Sequence, residues 1–217
     1  MDPAHKPRPF LAGLLAVLLL GLAAALLIAL CAGPAAAGGP AAPPEHAIPL
    51  CVHLAGPEDG HPPLRAFLEA AVPRAQELLG PAGARFEVRG TRAGEPAERA
   101  VQNAAERDAL AAHAGEAGCV HVFLLPRLGD LERKDLDIAG RHWRYQGKDR
   151  RLRGRRYVLV APASARVDTL AHELGHYFGL GHRAERQNLM KQLPRDPAPG
   201  LTPAQLRVVS RTLRSFR

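Results

Sequence analysis

Residues 172–182, His-Glu-Leu-Gly-His-Tyr-Phe-Gly-Leu-Gly-His, constrain the fold of this 217-residue chain more than any other stretch. His172 and His176 are four residues apart, so on an α-helix they lie one turn apart and project from the same side. Leu170, Leu174 and Tyr177 fall on roughly the opposite side. The pattern predicts a helix over 167–178 with one stripe in a core and two imidazoles toward a cleft. Asp168 stands where its N-cap is expected. Gly179 has no Cβ and tolerates the positive φ that ends a helix, so the chain can swing back and present His182 as a third ring nitrogen.

Three converging imidazoles are a zinc site with a vacancy. At Zn–N distances of about 2.0–2.1 Å they leave the fourth tetrahedral position open to water, as a catalytic site requires. Glu173 directly follows the first ligand and can reach that water from the flank. It is the candidate general base, taking the water's proton and passing it to a leaving amine. One Zn2+ held by His172, His176 and His182 is therefore the expected cofactor. Five fixed positions in this order are far more specific than a lone helix-capping histidine.

The run His172-Glu173-x-x-His176-x-x-Gly179-x-x-His182, followed by Asn188-Leu189-Met190, resembles the metzincin metalloproteases. The resemblance implies a Met-turn at Met190, the one methionine besides Met1, beneath the metal. It implies a twisted, mostly parallel five-stranded sheet with an active-site helix and a C-terminal helix. It also implies an endopeptidase whose protein or peptide substrate lies extended along an edge strand near 137–145. The likeness is sharpest over 168–190 and looser over 46–217. Arg183 follows the third histidine where subfamilies carry other residues, so a matrixin-like assignment stays open, and Gln192 occupies a place where some members have a tyrosine. Matrixin-like relatives often carry structural Ca2+. Asp130, Glu132, Asp135 and Asp137 form an acidic cluster, but their spacing is not that of an EF-hand loop and a solvated loop competes.

The remaining chain reads as an α/β (α+β) fold. Strands are expected at 47–54, 84–89, 119–125, 137–145 and 156–160, and helices at 62–79, 97–113 and 202–213, with Pro73 as a blemish in the first and Pro203 opening the last. Strands alternating with helices imply a mostly parallel sheet. Phe10 to Ala32 carries no charge and follows a basic start, which predicts an N-terminal signal or membrane-anchor segment over 1–32. A Pro/Gly/Ala-rich linker over 33–45 leads to one catalytic domain over 46–217. The product is expected to be exported, either secreted or membrane-anchored, and monomeric.

Cys51 and Cys119 either pair as a disulfide in an oxidising compartment or remain two buried thiols. The formal charge of +8 and pI near 10.1 would suit a polyanion partner. The basic residues are mostly Arg amid abundant Ala, Gly and Pro, which reads as compositional bias, so no specific nucleic acid is expected. Arg141-His142-Trp143-Arg144-Tyr145 suits an edge strand beside the cleft better than a base-stacking surface. The rival function is a noncatalytic zinc-containing surface protein that binds an anionic envelope partner. Glu173 argues against it, because a structural zinc site has no use for a carboxylate there.

Overall fold

The computed structural model describes residues 46–54, 62–93, 100–115, 118–133, 135–192 and 199–216. The segment expected as signal or anchor, 1–32, and the linker, 33–45, lie outside the described residues. Among the described residues no helix is long and apolar enough to cross a membrane.

The chain runs through β1 (His46–Leu54), α1 (Pro62–Leu79), β2 (Ala84–Ala93), α2 (Ala104–Ala109), β3 (Val120–Leu124), β4 (Gly140–Arg144), β5 (Arg156–Val160), α3 (Thr169–Tyr177) and α4 (Pro203–Arg214). The fold is mixed α/β. Its five strands form one sheet in the order β2-β1-β3-β5-β4. Every pairing is parallel except that of β4, which runs antiparallel to β5 at the edge. β3 is buried along its whole length and β1 from Leu50 onward, because parallel strands are covered on both faces. β4 is buried only at Trp143, as befits an open edge.

Helix α1 buries Leu64, Leu68, Ala71, Ala75, Leu78 and Leu79 and lies against α3. Pro73 does not end it, and its ring sits on the exposed side. The helix expected over 97–113 is shorter. Val101 is drawn into a parallel bridge with Leu128, so α2 starts only after Asn103, whose side chain accepts from the Glu106 N–H. The last turn, Leu110–His113, tightens to a 3-10 helix.

A disulfide joins Cys51 on β1 to Cys119 just before β3, with a Cα–Cα distance of 5.9 Å and 68 residues between them in sequence. Two residues on, His53 Nε2 and His121 Nδ1 are 3.0 Å apart, and the His53 ring stacks on Phe123 at 4.2 Å. Burial, then the neighbouring His121, lowers the His53 pKa to about 4.

Two stability effects should follow. Reduction of the disulfide should cost about 4 kcal/mol by loop entropy, read as a lower urea midpoint. His53 is harder to protonate folded than unfolded, so its share of stability is whole above pH 6.5 and is lost as pH falls toward 4. The loss should approach about 3 kcal/mol, and His53→Phe should remove that part of the slope in urea titrations between pH 7 and 4.5.

Candidate metal centre

Helix α3 ends in a Schellman reversal. The Gly179 N–H donates to the His176 carbonyl and the Leu180 N–H to the Gly175 carbonyl, at 3.0 and 2.9 Å, with Gly179 at φ +95°. A side chain at 179 would strain this conformation. The chain then doubles back so that the ring nitrogens of His172, His176 and His182 lie within 4.8 Å of one another. Among the described residues this is the one group of three or more His, Cys, Asp or Glu side chains placed to hold a metal ion. His172 is buried, His176 half-buried and His182 exposed.

Two of the rings are oriented by main-chain oxygens. His172 Nδ1 donates to the Leu189 carbonyl and His176 Nδ1 to the Leu180 carbonyl, each at 2.7 Å. A carbonyl can only accept, so Nδ1 carries the hydrogen and Nε2 keeps its lone pair. His176 Nε2 is 3.0 Å from His182 Nε2. The edge of a zinc–nitrogen tetrahedron is about 3.3 Å, so the donor set fits Zn2+ with a small outward adjustment. Burial keeps the pKa values of His176 and His182 below the usual histidine value, which favours the neutral, ligating form.

Glu173 is buried beside these rings. Its Oε2 accepts from the His142 N–H of β4 at 2.7 Å. Gly140 makes this approach possible: a Cβ there would stand 2.9 Å from both Glu173 Cγ and Thr169 Cγ2. Asp168 does not cap α3 through its side chain; its Oδ1 accepts from Arg166 Nε at 3.3 Å.

Met190 is fully buried under the helix, and its Sδ lies 2.6 Å from where a Cβ on Gly175 would sit. The turn is braced by a buried amide pair. Asn188 Nδ2 donates to Gln205 Oε1 and Gln205 Nε2 to Asn188 Oδ1, at 2.8 and 3.0 Å. Gln205 also closes a capping box with Thr202 at the start of α4. Sequence reasoning missed Gly140, Gly175 and Gln205. For Gln205 alone there was a local signal, the Thr-Pro-x-Gln order.

The structure does not support a calcium site at the acidic cluster. Asp130 accepts from the Glu132 and Arg133 N–H groups and from the Arg133 guanidinium, and Asp137 pairs with Arg127. Glu132 and Asp135 are exposed.

The three histidines and Glu173 open onto a cleft of about 840 Å³ walled on one side by β4. Among solved structures, the fold is similar to that of an archaemetzincin from Methanopyrus kandleri, with TM-score 0.50 and 19% identity over 77% of this chain and 96% of that one. It is also similar to metalloproteinase-II from Bacteroides fragilis, with TM-score 0.51 and 14% identity over 78% of this chain. The chain spans 56% of the latter's length. No family model and no curated protein matches the sequence. At these identities the likeness is one of fold, a metalloprotease-like fold with a three-histidine cluster that could bind zinc.

Gly175→Ala should force Met190 from its seat and destabilise the chain by about 1–3 kcal/mol in urea unfolding. Gly181→Ala, where nothing lies within 4 Å, serves as the tolerant control.

Proposed function

We propose that this chain is a zinc-dependent endopeptidase, with the metal on His172, His176 and His182 and with Glu173 as general base. The observation that carries this reading is the tautomer arrangement. Two ring nitrogens are tied outward to carbonyls, so three nitrogens can turn inward beside a buried carboxylate at the floor of an open cleft. Bound zinc supplies a Lewis acid that polarises the scissile carbonyl and lowers the pKa of water toward about 7.

The chain's own residues do the rest. The His142 N–H holds the Glu173 carboxylate on the cleft side of α3, where it can accept a proton from attacking water and return it to the departing amine. That N–H faces Glu173 rather than β5, so one rung of the β4 edge is already used. An extended peptide would pair with the remaining outward groups of β4. Met190 and the Asn188–Gln205 pair keep the Leu189 carbonyl under His172, which fixes its ring angle.

The substrate class is protein or peptide. The Cys51–Cys119 disulfide supports placement outside a reducing cytosol, in keeping with an exported chain whose residues 1–32 are signal or anchor and whose catalytic domain spans 46–217.

The full chain, loaded with one equivalent of zinc, should cleave casein or a randomised peptide pool, and chelation should abolish cleavage. Glu173→Gln should retain the metal and lose about 10²- to 10⁴-fold in kcat. Unchanged turnover in that variant would remove Glu173 from the mechanism. Stoichiometric zinc with no cleavage of any pooled peptide would favour the noncatalytic reading.

A further inference from the structure

Arg107 is the one charged side chain in the cleft wall that is fully buried. It comes from α2, far in sequence from the metal centre. Its Nη2 donates to the Gly129 carbonyl, and its guanidinium carbon lies 5.0 Å over the Trp143 ring. Its Nε and Nη1 are buried without a hydrogen-bond partner among the described residues. A guanidinium offers five donors in a planar fork suited to a carboxylate, and leaving two of them unmet in a buried setting is costly.

The nearby carboxylates are engaged elsewhere. Asp108 Oδ1 accepts from Trp143 Nε1 at 2.8 Å and from the Gln146 N–H at 3.0 Å. Asp130 favours the Arg107 charge from a distance, but its oxygens accept from the Glu132 and Arg133 amides and from the Arg133 side chain. Asp137 is bound to Arg127. A second guanidinium, Arg141 on β4, stands close enough to depress the Arg107 pKa, after burial itself. The cleft lining as a whole holds five arginines against three carboxylates, one of which is Glu173.

We propose that Arg107, assisted by Arg141, is a specificity-determining residue that takes a substrate carboxylate, so that the cleft selects peptides with an Asp or Glu near the scissile bond. This rests on the endopeptidase reading and deepens it. A peptide extended along β4 presents alternate side chains to its two sides, and every second one faces the wall built by Arg107, Arg141 and Trp143. A carboxylate there pairs with the exposed Arg141 guanidinium and, by displacing the cover over the Arg107 Nε and Nη1, completes the fork, whereas its amide isostere brings no charge and one fewer acceptor.

The test needs no turnover. The full-length Glu173→Gln chain, zinc-loaded and immobilised, is exposed to a pool of randomised octapeptides, and retained peptides are sequenced by mass spectrometry. The same selection is run with Arg107→Met and with Arg141→Ala added. Asp and Glu should be enriched about tenfold over Asn and Gln at one position. The enrichment should vanish with Arg107→Met and fall several-fold with Arg141→Ala, whose exposed site leaves the fold unaffected. A parallel pool amidated at the C-terminus separates the two sources of a carboxylate: enrichment that survives amidation supports a side chain, and retention lost on amidation assigns the peptide's own terminus and overturns the preference for Asp or Glu. No acidic enrichment on the parent chain overturns the proposal. So does enrichment that persists in both arginine variants, which would credit the metal rather than the guanidinium. Cleavage of the same pool by the wild-type chain tests the endopeptidase reading separately.

Discussion

His172 and His176 are each aimed by a carbonyl oxygen that belongs to chain lying beyond the Gly179 reversal. A helix alone can put two imidazoles on one side, but it cannot choose their tautomers or lock their ring angles. That is done by Leu180, immediately after the turn, and by Leu189, deeper in the loop. The left-handed glycine is thus the condition for the whole centre. A Cβ at 179 would meet nothing closer than 3.9 Å but would strain the positive φ, and with it the return of the chain that brings both carbonyls and His182 to the site.

The loop that supplies these carbonyls has little regular structure, so it needs anchors of its own. Leu189 and Met190 are fully buried, and the Asn188 amide exchanges hydrogen bonds with Gln205 on α4. Because Gln205 also completes the capping box at Thr202, the C-terminal helix and the metal-centre loop are fastened by the same side chain. Buried polar groups that are mutually satisfied rigidify what they join, and here they rigidify the floor of the site.

Local periodicity carried the sheet and the helices. The apolar runs of β1, β3 and β5 and the i, i+4 histidine spacing are short-range patterns, and each is legible residue by residue. What sequence reading missed depends on contacts between distant segments. Val101 looks helical until its bridge to Leu128 is known, which is why α2 begins late. Gly140 looks like an ordinary strand glycine, yet it is the gap through which Glu173 reaches the His142 amide. Arg107, in an Ala- and Glu-rich stretch, looks like a solvated helix residue and is instead fully buried against Trp143.

The three histidines differ in burial, which bears on how a metal centre would assemble here. His172 is buried in helix α3 and His176 half-buried near its end, whereas His182 stands in an exposed loop stretch fastened by the bond from the Arg183 N–H to the Met190 carbonyl. Two donors are therefore preset by the core, and the third is set by a segment that can yield more easily. A metal bound to such a set would draw most of its ordering cost from the loop and not from the helix, so occupancy and loop order would rise together. The wall opposite is built on β4 and α2, so the residues that would grip a substrate and the residue that would complete the metal set stand on different elements of the fold.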